Sequence, residues 1–279
     1  IRSKPTFQFS GLRELLGYFK HSALPLKLTG IIQSVIANMD ELFIKVFLGV
    51  SAVGHYGLLK RILHYAVMPA RLVSQSVYPI LSKDWHTENT THMVKKTLFL
   101  LTVSAVSVFI IMYTQADHII EIILGSLLIG LTPVLKVYSG MILVCYGAIF
   151  IPNIMIVTDQ LKPVTVITLI MLGINFFGNG LLIERFGISG VIMSSIVSLI
   201  FYIIVTMGII QYKLKLAILN RTFFQIPIAS LVFLVSVYND SIISVSLQCV
   251  AYIGVFILFK NEDVISLFTM VKKRYGLLR

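Results

Sequence analysis

The chain has 279 residues, of which 57% are hydrophobic and 13% charged, with a mean hydropathy of +0.92. Soluble domains carry roughly 45–50% apolar and about 25% charged residues, so this balance excludes an ordinary soluble enzyme, a disordered tail and a disulfide scaffold, and fits a polytopic membrane protein. The chain is also basic, with 23 Lys and Arg against 12 Asp and Glu and a formal charge of +11.

In chain order, residues 1–22 read as an amphipathic segment, with Phe9, Leu12, Leu15, Leu16 and Phe19 on one side and Arg13 and Glu14 elsewhere. That pattern suits a helix lying on the cytoplasmic leaflet. With a polar N-terminus and a first apolar run too long for one, no cleavable signal peptide is expected, and the start at Ile1 without Met leads us to expect the back part of a longer polypeptide. A spanning helix needs about 20 mostly apolar residues, and eight candidates follow: 23–46, 52–80, 95–115, 131–157, 163–183, 188–211, 222–238 and 242–259. The second is predicted to kink at Pro69, which cannot donate to the backbone ladder. Trp85, in the polar stretch after it, suits a headgroup-level anchor. Cys145 and Cys249 fall in apolar runs and read as packing residues. The tail after residue 259 sets Leu267, Met270 and Val271 beside Lys272, Lys273 and Arg274, which fits either a leaflet-bound helix or a solvated basic tail.

Alternating the loops places 16 Lys and Arg on one side of the membrane and only Lys45 and Arg185 on the other. By the positive-inside rule both ends are then cytoplasmic. Five cations remain within proposed spans: Lys27, Lys60, Arg61, Arg71 and Lys136. All 12 acidic residues fall in loops, tails or span ends, so no deep acid is expected to neutralise those cations. A charge at a helix centre usually faces a cavity and marks a pathway. At 100° per residue, Tyr56, Lys60, His64, Arg71, Gln75 and Tyr78 share one face of the second span. Lys60 and Arg71 stand about 16 Å apart along its axis. This cation-lined, proline-kinked helix reads as part of a moving translocation path, with Tyr56, Pro69, Gln75 and Tyr78 as its stripe and hinge.

Other readings stand beside this one. Lys27 and Lys136 sit near span ends and can snorkel to headgroups. Arg61 is off the stripe and can meet a neighbouring helix or a lipid phosphate. His64 can be a satisfied core histidine, and Asp40 and Glu41 can pair with a neighbouring span's cation for structural reasons. There is no P-loop, no H-E-x-x-H, no G-x-S-x-G and no paired-cysteine metal spacing, so neither a metal, a cofactor nor enzyme chemistry is expected. Topology accounts for most of the basic charge, which therefore does not argue for nucleic acid.

Three blocks carry a family resemblance. Asp40-Glu41-Leu42-Phe43-Ile44 with Phe47-Leu48-Gly49, Ala52-Val53-Gly54-His55-Tyr56 and Arg61-Ile62 resembles the seventh-to-eighth helix junction of Wzx-type O-antigen and polysaccharide flippases. These belong to the multidrug/oligosaccharidyl-lipid/polysaccharide exporter superfamily. Tyr78-Pro79-Ile80-Leu81-Ser82-Lys83 looks like the end of that helix. Asn175 and Asn179 before Gly187-Ile188-Ser189-Gly190-Val191 resemble the eleventh-to-twelfth junction. Their order covers roughly residues 20–215.

The resemblance implies an all-α, polytopic membrane helix bundle that is the second lobe of a two-lobe, inverted-V carrier. Residues 1–22 would be a cytoplasmic amphipathic linker, 23–211 a six-helix C-terminal lobe, 212–259 two additional transmembrane helices and 260–279 a basic cytoplasmic tail. It further implies flipping of an undecaprenyl-diphosphate-linked oligosaccharide across the bacterial inner membrane by alternating access. Lys60, His64, Arg71, Arg61, Lys136 and Lys27 would line the anionic headgroup path. The implied partners are the lipid-linked oligosaccharide, membrane lipids, the N-terminal lobe of the same protein, an O-antigen polymerase and a chain-length regulator. A cation-coupled drug exporter of the same superfamily is the alternative, and would need deep carboxylates. A membrane glycosyltransferase or polymerase ranks below it, since the 116–130 loop is mostly Ile, Leu and Gly.

Overall fold

The computed structural model describes residues 23–85 and 88–214. The expected linker, the spans 222–238 and 242–259 and the basic tail lie outside these residues. Eight α-helices run through them: α1 (Leu24–Leu48), α2 (Val50–Ala66), α3 (Met68–Asp84), α4 (Glu88–Thr114), α5 (Ala116–Leu124), α6 (Thr132–Val157), α7 (Leu161–Phe186) and α8 (Ile188–Leu214), with a 3₁₀ turn at Ser126–Leu131 before α6. The described chain is all-α. Four stretches are long and apolar enough to cross a membrane, Thr90–Thr114, Ser126–Val157, Leu161–Phe186 and Ile188–Tyr212, and they make this a multi-pass membrane protein.

Helix α6 is the axis of the bundle. Its inward residues Leu135, Tyr138, Ile142, Tyr146, Phe150 and Ile154 recur at helical spacing and are all buried. Helices α3, α4 and α8 pack on it, while α7 packs on α1 and α8. Gly49 and Gly187, with φ of 88° and 58°, make the sharp reversals after α1 and α7, where the left-handed region strains a side chain.

One expectation needs correction. The 52–80 span is not one kinked helix but two, α2 and α3, separated at Val67 with Pro69 in the first turn of α3. Proline offers no N–H to the Tyr65 carbonyl and crowds it, so the ladder stops there. The Ala66 carbonyl at the break instead accepts a hydrogen bond from the Tyr146 hydroxyl of α6 at 2.9 Å. A neighbouring helix thus satisfies a carbonyl next to the one that the proline frees. Helix α1 covers the expected 23–46 span. It is 25 residues long but carries Lys27, Asp40, Glu41 and Lys45, so it is not among the four apolar stretches.

Candidate functional site

The 100° projection that aligned six residues assumes one continuous helix, and the break limits it. Tyr56, Lys60, His64 and Arg71 do come together, lining a cavity of about 320 Å³ bounded by α1, α2, α6, α7 and α8 with Arg71 from α3. That volume lies at the small end of the usual range for small-molecule sites. Gln75 and Tyr78 lie farther along α3 and are not part of this wall; Pro69 sits at the break. Across the break the Arg71 guanidinium stands 3.4 Å from His64 Nε2. Arginine has only donors, so in this pair the imidazole nitrogen is the acceptor.

The other proposed path residues are elsewhere. Lys27 lines a large open groove between α1 and α7, about 1400 Å³ and mostly apolar. Lys136, near the start of α6, lies 3.6 Å from Asp117 of α5. Arg61 lines a separate crevice between α2, α4 and α5.

The expectation that the cations lack acids also needs correction. Glu41 of α1 takes a hydrogen-bonded ion pair from Lys60 Nζ at 2.6 Å, with both side chains a little over one-third exposed. Lys60 further donates to the Ala37 carbonyl at 3.1 Å, tying α2 to α1. Arg71 has no carboxylate partner among the described residues.

Asp40, one residue before Glu41, is buried. Its Oδ1 accepts from Asn179 Nδ2 at 2.8 Å, and its Oδ2 accepts from the Ser195 hydroxyl at 2.9 Å and the Tyr56 hydroxyl at 3.2 Å. Asn175 extends the cluster, donating to Ser195 Oγ at 3.0 Å and accepting from Asn179 at 3.2 Å. One carboxylate thereby joins α1, α2, α7 and α8. Reading the sequence placed Asp40 toward a span end and missed this role. The available signal was Asn175 and Asn179, one turn apart on an otherwise apolar helix, because intramembrane polar groups face the bundle interior.

Also missed were Gln33, Ser198 and Tyr202, which line the same cavity from α1 and α8. The region 116–130 is helix α5 and the 3₁₀ turn. Among the described residues no three His, Cys, Asp or Glu side chains are grouped to hold a metal ion.

Residues 1–129 match the family model described as polysaccharide biosynthesis protein. The match takes in α1 to α5, and so Lys60, His64 and Arg71. No curated protein and no solved structure matches the chain.

Proposed function

We propose that this chain is the carrier lobe of a polysaccharide flippase, which moves an undecaprenyl-diphosphate-linked oligosaccharide across the bacterial inner membrane by alternating access. The observation that carries the reading is the cavity at the α2–α3 break, where Arg71 stands without a carboxylate beside His64 and opposite Lys60. Carriers build sites at discontinuous helices, and at this break the His64 and Arg71 side chains are exposed to an incoming ligand. A guanidinium there grips phosphate oxygens in bidentate fashion, while Lys60 acts as a point charge. Entry of a diphosphate gives Lys60 a second anionic partner in competition with Glu41, so binding loosens the tie between α1 and α2. The similarity to polysaccharide biosynthesis proteins over residues 1–129 agrees with this substrate class.

On this reading α1 and the α2–α3 pair cross the membrane at the side of the bundle, and both chain ends face the cytoplasm. The preceding lobe supplies the other half of the path, and the polymerase and chain-length regulator act downstream. The test is export of the lipid-linked oligosaccharide in cells that carry Arg71→Ala in the full-length protein. Export should fall at least tenfold with the protein level unchanged, since a hydrogen bond from a charged donor to the phosphate is worth about 1.5–3 kcal/mol. Wild-type export from that variant removes the assignment.

Buried Asp40 favours a second reading, a cation-coupled drug exporter. That reading requires Asp40→Asn to abolish cation-driven drug efflux in proteoliposomes, whereas the flippase reading predicts no drug efflux from the parent protein either.

A further inference from the structure

Arg61 is adjacent to Lys60 in sequence yet belongs to different surroundings. It lines a crevice of about 570 Å³ whose walls are Ile62, Val108, Ile111, Met112, Ile119 and Ile123, with Tyr65 one turn further along α2. Arg61 is exposed and has no carboxylate partner among the described residues. Tyr65 is 72% exposed.

The crevice lies at the end of the bundle where α4 finishes at Thr114 and α5 begins at Ala116. Helix α5 buries Ala116 and Ile120 against the bundle and exposes Asp117, His118 and Glu121 together with Ile122 and Ile123, so both polar and apolar side chains face outward at this end. Tyrosine is enriched at headgroup level. Of the two carboxylates on α5, Asp117 is taken by Lys136 and neither lines the crevice. An unpaired guanidinium beside hydrocarbon is costly unless an anion meets it. Here it lines a largely apolar crevice whose volume of about 570 Å³ has room for part of an acyl chain.

We propose that this crevice holds an anionic phospholipid of the surrounding bilayer, with its phosphate on Arg61 and the Tyr65 hydroxyl and one acyl chain between α4 and α5. The occupant is a resident lipid and not the transported one, because the crevice shares no lining residue with the cavity that holds Lys60 and Arg71. The inference therefore does not depend on the flippase reading.

The test compares phosphatidylglycerol with phosphatidylcholine of identical acyl chains, added to the purified full chain in detergent and read by native mass spectrometry. One cation near the surface favours the anionic lipid by about fivefold, and this is the expected retention ratio. Arg61→Gln should remove the preference and Arg61→Lys should keep it. Ile123→Trp, which fills the slot, should lower retention of both lipids while the protein's melting temperature in detergent shows it folded. Equal retention of the two lipids by the parent protein would overturn the proposal, as would a preference that survives Arg61→Gln. Displacement of phosphatidylglycerol by an equimolar polyprenyl phosphate would overturn it too, by making the crevice a substrate site.

Discussion

The segment Leu24–Asp84 and the hairpin Leu161–Leu214 are both helical and similar in length, but they are held together in different ways. The hairpin consists of two uninterrupted apolar helices, α7 and α8, that approach closely: a Cβ on Gly178 would meet Ser194, and one on Gly190 would meet the Leu182 carbonyl. The first segment is divided at Gly49 and at Val67, and it carries Asp40, Glu41, Lys60, Arg61 and Arg71. Its stability depends on partners in other helices. Tyr146 serves the Ala66 carbonyl, and Asn153 of α6 holds the Ser74 hydroxyl of α3 at 2.7 Å. Ser74 in turn donates to the Ile149 carbonyl at 3.3 Å, one turn ahead of Pro152. A region built from close packing has one arrangement, whereas a region built from side-chain ties rearranges when a tie changes partner. On the proposed alternating-access reading, the first segment would move and the hairpin would support it.

The largest test falls on the residue that joins the two. Asp40→Ala leaves the hydroxyls of Tyr56 and Ser195 and the amide of Asn179 without their acceptor. An orphaned buried donor costs about 1–3 kcal/mol, so the loss should be on the order of 3 kcal/mol or more, read as a lower unfolding midpoint in detergent. Asp40→Asn, which keeps an acceptor, should lose less. If Asp40→Ala unfolded at the parent midpoint, the two regions would not depend on this junction and the contrast between them would fail.

Placing one substitution in each region gives effects of opposite sign. Gly190→Ala drives a methyl group onto the Leu182 backbone, which cannot move aside like a flexible side chain. Overpacking of this kind costs about 1–3 kcal/mol. Gly57→Ala, inside α2 with nothing within 4 Å of its new methyl, should stabilise by about 0.4–1 kcal/mol through the unfolded chain. Equal effects at the two sites would show that the hairpin is no tighter than the broken segment.

How much of this the sequence shows depends on whether the cause is local. The spans expected at 131–157 and 188–211 coincide closely with α6 and α8, and 163–183 lies inside α7, because apolar runs bounded by Gly187 and by the Asp159–Gln160 turn are local signals. The division of 52–80 is half visible, since Pro69 marks the place but whether a proline kinks or divides a helix depends on what satisfies the freed carbonyl. Tyr146, which serves the adjacent Ala66 carbonyl at the break, is distant in sequence. The same distance hides the neutralising acids: Glu41 meets Lys60 only because α1 and α2 fold back on each other, and Asp40 is buried only because α7 and α8 close over it. Helical projection brings Tyr56, Lys60, His64 and Arg71 together correctly within reach of the break, and fails beyond it at Gln75 and Tyr78.

Tyr146→Phe isolates the break itself. It removes the only polar atom of a buried side chain and returns the Ala66 carbonyl to an apolar setting. The expected loss is about 1 kcal/mol, smaller than at Asp40 because one acceptor is affected instead of three donors. A thermal melt of the variant measures it, and no change would mean that the α2–α3 break is satisfied without α6.

The smallest expected change in stability carries the most information about the first segment. Glu41 and Lys60 are partly exposed, each with over one-third of its side chain accessible, and such pairs contribute about 0.2–1 kcal/mol. Glu41→Gln should therefore shift the melting midpoint by little. Its effect should appear instead in the cavity, where Lys60 loses the carboxylate that neutralises it and the local charge rises by one. Attraction between charges a few ångströms apart is worth about 1–4 kcal/mol between water and a protein surface, so a diphosphate should bind at least fivefold more tightly to the Glu41→Gln protein. Binding of radiolabelled diphosphate to the purified variant reads that change. If affinity falls instead, Glu41 positions Lys60 for the anion and does not compete with it, and the tie between α1 and α2 belongs to the binding site rather than to the element that binding releases.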